Sequence, residues 1–393
     1  MFIIETLIYV LIAIIMTSLA KRSNLLSLDN DTIQWNGFLR AYVAFFVIIS
    51  AIRYNVGGDS LAYSKILKYG IPKHTLEARS EEFLWVQFVE FITSHGIHFT
   101  IGMGIIVFLQ IYFIIKGIKD YKYLLASIPI ILFAGRFYLE LMNGMRQMLV
   151  ACAFIYALKW IVERKFWYYL LFVWIAHYVH NSALMLIPLY FIPIRFTLAD
   201  KKKICLIVFL LCFVVGQTYI LQGLTSYVVS FAELAGYQDY TGIVATKLND
   251  KSQVETMSFG ITMISYFLMS LSVILFSDKL KKRFEGKIKY FNIWYNYSYF
   301  YSCGFFLFCN ISHVFIRPLL YFELFLMLMQ ALIINYCWEG ENNELLVKRF
   351  SNKIVCNSII VINWIGLVWT LYRVISVGGW ESIIYKTIFS NPV

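Results

Sequence analysis

Three arginines in this chain stand where long apolar runs begin or end. They are Arg53 in "RYNVGGDSLAY", Arg146 in "LMNGMRQMLV" and Arg317 in "SHVFIRPLLYFE". A charge at membrane depth costs from about 2.5 kcal/mol upward, so such groups normally face a cavity and serve a ligand or a partner charge. A guanidinium stays charged at any relevant pH and matches phosphate oxygens bidentately. The three arginines therefore predict a site for a phosphorylated lipid, because a diphosphate needs several donors.

An alternative exists for each of the three arginines, since the guanidinium could instead reach headgroup phosphate from the membrane interface. Glu140, six residues before Arg146, is either its salt-bridge partner or a second carboxylate in the same site. The arginine pattern thus predicts a site, but leaves the partner of Arg146 open.

Two further side chains could move or hold a proton. Asp59 follows Gly57-Gly58 and could accept a proton from a hydroxyl, orient that hydroxyl, or cap a helix that begins beside it. The glycines could let the backbone approach a ligand, or could form a turn. His180 lies between two apolar runs and is a candidate base or a hydrogen-bonding anchor. His177, three residues before His180, could form a helical pair with it, but the sequence offers no third or fourth ligand. No metal site is therefore predicted.

The elements that must position these residues are membrane-spanning helices. Of the 393 residues, 60% are hydrophobic and 15% are charged, which indicates an integral membrane protein. A span needs roughly 20 apolar residues. The chain contains about 12 such runs, predicted at residues 2–20, 34–52, 98–118, 122–139, 145–161, 166–179, 181–194, 203–222, 258–277, 290–310, 316–336 and 354–372.

Lysines and arginines gather at alternate junctions between these runs, which predicts their cytoplasmic side. This pattern explains the net charge of +11 without a nucleic-acid partner. We expect one polytopic domain over 1–393 with both termini outside, extracytoplasmic segments at about 53–97 and 223–257, and cytoplasmic loops at about 21–33, 195–203, 278–289 and 337–353. The segment 53–97 is expected to contain an interfacial helix.

Residues 166–192 decide the topology, since they form either two short helices or one long helix. With one helix, every later segment changes sides. With two, the positions of Arg53, Arg146, His180 and Arg317 all lie at the outer membrane face.

The order of these motifs resembles the EpsG-like family of Wzy-type polysaccharide polymerases. The matching stretches are "RYNVGGDSLAY", "EEFLWVQF", "GMRQMLVACAFIYALKW", "HNSALMLIPLYF" and "FIRPLLYFELF". The matching positions are Arg53, Gly57, Asp59, Tyr63, Glu82, Arg146, Gln147, His180, Ser182, Ala183, Leu184, Pro188, Arg317, Tyr321 and Phe322. The spelling Gly57-Gly58-Asp59 departs from the family, which more often has a hydroxyl residue before the aspartate.

The resemblance implies an all-α glycosyltransferase-C-like membrane fold in the bacterial inner membrane, with the active site facing the periplasm. The implied reaction transfers a growing glycan from undecaprenyl diphosphate to a hydroxyl of an incoming lipid-linked oligosaccharide. Donor and acceptor are both undecaprenyl-diphosphate-linked, no cofactor or metal is required, and a chain-length regulator protein is a further candidate partner. Direct displacement would invert the anomeric configuration.

Roles for single residues follow from the resemblance and the chemistry together. Arg53, Arg146 and Arg317 are expected to bind the diphosphate, and arginines aimed at the leaving group would stabilise its developing charge. Asp59 is the first and His180 the second candidate base. The residues expected to orient the substrate are Tyr63, Glu82, Glu140, Gln147 and Tyr321.

Three other classes of protein compete with this interpretation. A flippase for lipid-linked oligosaccharides would need cationic groups along its whole transport path, and it often shows two related halves. A membrane O-acyltransferase would use an acyl donor and a different arrangement of arginine and histidine. A scaffolding protein would have no use for ionisable groups at membrane depth.

Overall fold

The computed structural model describes residues 2–27, 31–54, 59–72, 81–218, 260–310, 313–339 and 346–377. These residues are almost entirely helical. In chain order the helices are α1 Phe2–Leu26, α2 Gly37–Ala51, α3 Ser60–Tyr69, α4 Phe83–Ser94, α5 Phe99–Gly117, α6 Ile128–Ala134, α7 Phe137–Asn143, α8 Met145–Val162, α9 Phe166–Val179, α10 Lys202–Gly216, α11 Ile261–Phe284, α12 Phe291–Phe308, α13 His313–Ile316, α14 Leu320–Glu339 and α15 Leu346–Val377. Short 3₁₀ segments, the longest of them Asn181–Phe191, connect some of these helices.

Six of the described segments are long and apolar enough to cross a membrane, and they lie in α1, α5, α8, α11, α14 and α15. Four shorter apolar helical segments are Gly37–Ala51, Phe83–Ser94, Phe166–Val179 and Asn181–Phe191. The described residues are therefore those of a helical, multi-pass membrane protein, as the composition predicted. The number of 12 spans and the outside location of the termini stay predictions.

The predicted span 122–139 is not one helix. It is broken into α6 and α7, because Gly135 and Arg136 interrupt the helical hydrogen bonding between them. Arg136 has a left-handed backbone with φ of 65°, a conformation that an α-helix cannot continue through. Gly144 then separates α7 from α8. Two short helices and two turns thus carry the chain towards Arg146.

Residues 166–192 form two segments, which was one of the two alternatives. Helix α9 ends at Val179, His180 is extended with φ −150° and ψ 117°, and the 3₁₀ segment Asn181–Phe191 follows. The segments pack antiparallel, because the Phe166 and Tyr190 rings lie 5.1 Å apart and the Tyr169 hydroxyl donates to the Leu186 carbonyl at 2.7 Å. His180 is consequently the tip of a helical hairpin.

Helices α8 and α14 form the centre of the bundle. In the apolar stretches of Arg317–Trp338 and Met145–Val162, 94% and 72% of the residues are buried. The corresponding shares are 33% in Thr6–Leu26 and 28% in Ser351–Tyr372. The two central helices touch where Phe154 meets Phe325, with ring centroids 5.7 Å apart. The central and the outer helices have similar mean hydropathy. Helix packing, not hydropathy, therefore determines which helices lie at the centre.

Two predicted features fall on residues outside the described ranges. They are the Gly57-Gly58 pair and the extracytoplasmic segment 223–257. Two helices, α3 and α4, lie within the predicted interfacial region 53–97, and their location at the membrane interface stays a prediction. Exposed phenylalanines Phe83 and Phe91 on α4 suit contact with lipid.

Candidate active site at one end of the bundle

Five parts of the chain meet at one end of the bundle. They are α3, the start of α4, the tip of the hairpin at His180, and the paired starts of α8 and α14. Side chains from each part touch one another, and Tyr63, Glu82, Trp85 and Arg146 form what we term the outer cluster. Every one of the predicted polar motifs that is described reaches this end.

Arg146 is the centre of the outer cluster. It is 9% exposed at the start of the apolar helix α8, and its Nη1 donates to the Glu82 carboxylate. The guanidinium carbon lies 5.2 Å from the centre of the Trp85 ring, which is a cation–π distance. The Tyr63 hydroxyl lies near the guanidinium, and the Tyr63 ring meets Trp85 edge-on at 5.8 Å.

Several donors in this region are buried and unused. Within the described part of the chain, the Arg146 Nε, the Trp85 Nε1 and the Ser60 hydroxyl make no hydrogen bond. Ser60 lies three residues before Tyr63 on α3, hence on the same side of that helix. Unsatisfied buried polar groups are rare in proteins. A ligand rich in acceptor atoms would satisfy all three.

Glu82 links the outer cluster to the hairpin tip, because its second carboxylate oxygen accepts from the Asn181 backbone N–H at 3.3 Å. Beside that contact, the Ser182 hydroxyl lies 2.9 Å from the His180 Nδ1 and 2.8 Å from the Tyr321 hydroxyl. The Tyr321 hydroxyl is in turn 3.2 Å from the His180 Nδ1. This triangle fixes the imidazole against the start of α14.

Gln147 and Arg317 also meet at this end. The Gln147 side-chain amide donates to the Arg317 backbone carbonyl, and this bond ties the start of α8 to the turn before α14. The Arg317 side chain is exposed. The Arg317 side chain is therefore accessible to a ligand. The Gln147 side chain, in contrast, already has a backbone carbonyl as its partner.

Arg53 lies close by but has no exposed surface. Its Nε donates to the Ser50 carbonyl at 3.0 Å, and its Nη2 reaches the Met142 carbonyl at 3.1 Å and the Met145 sulfur at 3.2 Å. These contacts hold the turn between α7 and α8, which ends directly before Arg146. The expected diphosphate contact of Arg53 stays a prediction, and the observed geometry is that of a positioning residue.

Asp59 stands at the edge of the site. It precedes α3, its side chain makes no capping hydrogen bond, and it is exposed. Its backbone N–H donates to the Asn143 side chain at 2.9 Å, which places it next to the turn before Arg146. Because Tyr63 lies one helical turn further along α3, Asp59 and Tyr63 face the same side. The carboxylate is thus free to meet a ligand hydroxyl.

Glu140 occupies a different place from the other predicted residues. The ion-pair partner of Arg146 is Glu82, whereas Glu140 interacts with Tyr266, Tyr301 and Glu323 inside the bundle. The turn at Gly144 between α7 and α8 changes the helix direction, so spacing along one continuous helix does not apply. Among the described contacts, Arg146 thus pairs with Glu82, and the roles predicted for Glu140 stay predictions.

Sequence reasoning overlooked two contributors to the site. Trp85 and Ser60 supply unused donors. Trp85 lies three residues after Glu82, a helical spacing that could have indicated a shared face. Among the described residues, no three His, Cys, Asp or Glu side chains come together in a way that could hold a metal ion.

Comparison with known proteins gives one result. The model of the EpsG family matches residues 37–375, a range that contains every residue of the site described above. No curated protein and no solved structure matches the chain. Since the match spans nearly the whole sequence and the motifs meet in space, the chain is a member of the EpsG family.

Proposed function

We propose that this protein is a Wzy-type polymerase. It transfers a growing glycan from undecaprenyl diphosphate to a hydroxyl of an incoming undecaprenyl-diphosphate-linked oligosaccharide, and releases undecaprenyl diphosphate. The products are O-antigen or a related polysaccharide. The observation that carries the proposal is Arg146, a nine-tenths buried guanidinium with an unused Nε beside the unused Trp85 Nε1. Membership of the EpsG family supports the same reaction class.

The chemistry of the diphosphate suits the outer cluster. The Glu82 carboxylate forms an ion pair with Arg146. A phosphate group would compete with that carboxylate for the guanidinium. Phosphate accepts from several donors at once, as the unused groups require. As the bond from the anomeric carbon to the phosphate oxygen breaks, negative charge grows on the leaving group, and preorganised donors stabilise it.

The acceptor hydroxyl attacks the anomeric carbon and loses its proton to a base. Asp59 is the proposed base, since its carboxylate is exposed and makes no capping bond. His180, held by Ser182 and Tyr321, is the alternative base and otherwise orients the acceptor. A single displacement inverts the anomeric configuration, and the energy comes from the sugar–phosphate bond.

We further propose that this end of the bundle faces the periplasm of a bacterial inner membrane. Single cysteines in place of Asp59 and Arg317, both exposed, should react from outside in a background without the natural cysteines. A cysteine in place of Glu285, exposed near the far end of α11, should react only after permeabilisation. The reverse labelling would contradict this orientation.

The reaction itself is tested with purified protein in bilayers and a lipid-linked repeat unit. Polymer that grows without nucleotide sugar, together with released undecaprenyl diphosphate, is the expected result. Movement of the lipid-linked unit across the bilayer with no chain growth would instead identify a flippase. Arg40→Ala, which changes an exposed arginine on α2, serves as the control for effects of surface charge.

A further inference from the structure

A second group of ionisable side chains lies within the bundle and is not used by the proposed reaction. Its members, termed the inner cluster, are Arg136, Glu140, Tyr266, Tyr301 and Glu323. Glu323 is 1% exposed and Arg136 is 3% exposed. Residues two apart on a helix point in different directions. Tyr321, which contacts the hairpin tip beside the outer cluster, and Glu323 therefore lie on different sides of α14.

Arg136 uses only part of its hydrogen-bonding capacity. Its Nη2 donates to the Ser265 hydroxyl at 2.8 Å, and its guanidinium carbon lies 4.1 Å from the centre of the Tyr266 ring. Across the described ranges, neither Nε nor Nη1 has a hydrogen-bond partner. The guanidinium thus contacts one hydroxyl and one aromatic ring, and two of its nitrogens make no hydrogen bond to the described residues.

Among the residues that the structure describes, Glu323 has unused hydrogen-bond acceptors, whereas Arg136 has unused donors. Neither of the Glu323 carboxylate oxygens makes a hydrogen bond of normal geometry to the described residues, and the hydroxyl nearest to the carboxyl group is that of Tyr301. The charged and titratable groups that face it are Glu140 and Arg136 from the broken helix, Tyr301 from α12 and Tyr266 from α11. An ionised carboxylate without hydrogen bonds in an apolar interior costs several kcal/mol. The nearby Glu140 adds repulsion, so the surroundings fit a neutral carboxylic acid.

We propose that the inner cluster is a proton-binding site in which Glu323 carries the proton. On release, the O–H bond of the carboxylic acid breaks, and the proton passes to solvent by way of the partly exposed Glu140. Arg136 then turns its two free donors to the new carboxylate and leaves Ser265. The two states differ by one proton and by the partner of Arg136.

The test is infrared difference spectroscopy of the purified protein in bilayers between neutral and alkaline pH. The wild type should show the carbonyl band of a protonated carboxylic acid, sensitive to deuterium exchange, that disappears on alkalinisation. Glu323→Gln should lack this band, and Glu285→Gln, which changes an exposed carboxylate, should keep it. A band that persists in Glu323→Gln, or is missing from the wild type, overturns the proposal.

Folding of the variant provides a second measurement. Glutamine imitates a neutral carboxylic acid, so Glu323→Gln should keep the wild-type thermal midpoint at neutral pH and lose the pH dependence that Glu323 adds. If Glu323→Gln instead fails to fold, an ionised carboxylate is required there and the proposal is wrong. Neither measurement depends on polymerase activity, so this inference stands or falls apart from the proposed function.

Discussion

The outer and inner clusters contain the same kinds of groups but connect them differently. In the outer cluster, Arg146 donates directly to the Glu82 carboxylate. In the inner cluster, Arg136 donates to the Ser265 hydroxyl instead, and the Glu323 carboxylate oxygens make no hydrogen bond of normal geometry within the described chain. Burial alone does not explain the contrast, because both arginines are at least nine-tenths buried.

The difference follows from where each arginine stands in the fold. Arg146 begins a helix at the end of the bundle, where loops and a hairpin tip bring a carboxylate and a substrate within reach. Arg136 lies at a break between two short helices, surrounded by α11, α14 and α15. A buried cation at an open end suits the capture of an anionic ligand, whereas one inside a helical wall suits an exchange of internal partners.

Removal of the outer guanidinium should have the largest effect. Arg146→Ala should lower chain extension by at least about 100-fold, the scale for loss of a donor to transition-state charge. It should also destabilise the protein by roughly 3–5 kcal/mol, because Glu82 is left buried and unpaired. Activity is measured as polymer length in bilayers, and stability as the thermal midpoint.

The double variant Arg146→Ala with Glu82→Gln separates these two effects. Glutamine removes the unpaired charge, so the thermal midpoint should recover while chain extension stays lost. Arg40→Ala should match the wild type in both measurements. Polymer of wild-type length made by Arg146→Ala would refute the role of the outer cluster.

Arg53→Lys should lower stability and activity together. Lysine cannot reproduce the separate bonds to Ser50 and Met142, and unsatisfied buried carbonyls cost about 1–3 kcal/mol each. The turn before Arg146 should loosen, so the thermal midpoint should fall along with kcat. A normal midpoint with weakened binding of undecaprenyl diphosphate would instead support the direct contact predicted from the sequence.

Arg317→Lys should reduce activity without a change in stability. The side chain is exposed, and lysine keeps the charge but loses the bidentate fork that fits phosphate. We expect a loss of about tenfold in chain extension, equivalent to about 1.4 kcal/mol. Unchanged activity would show that Arg317 reaches the headgroup region and not the substrate.

Gly366→Ala should affect the inner cluster and leave the outer cluster intact. A Cβ at Gly366 would lie 2.5 Å from the Arg136 Nη1 and 2.5 Å from the Ser265 hydroxyl. Overpacking of this kind costs about 1–3 kcal/mol, which should lower the thermal midpoint, whereas activity per folded molecule should persist. Gly286→Ala, where a Cβ would meet nothing within 4 Å, is the matched control.

The sequence predicted the helices best where apolar runs are long and uninterrupted. The predicted span 145–161 corresponds to α8 at Met145–Val162, and the span 98–118 to α5 at Phe99–Gly117. It failed at Arg136, since no proline marks that break and the flanking residues stay apolar. The left-handed backbone there is held by tertiary contacts of the guanidinium with Ser265 and Tyr266.

The polar residues of the site were also accessible from the sequence, but their partners were not. Arg146, His180 and Arg317 stood out because ionisable and polar groups at the ends of apolar runs need a reason. Tyr321 was named only through the family resemblance. The pairing of Arg146 with Glu82 joins residues 64 positions apart, and the burial of Arg53 against Met142 joins residues 89 apart. No local spacing encodes either contact.

The sequence by itself therefore determined the class of protein, the long uninterrupted helices and the polar residues available for chemistry. These depend on hydropathy and residue type, which are local properties of the chain relative to lipid and water. The tertiary structure alone decided the partner of each arginine. Arg146 pairs with a carboxylate, Arg53 bonds to the turn before α8, and Arg136 lies near the Glu323 carboxyl group. Those outcomes depend on which helix faces pack together, and packing is a property of the whole bundle.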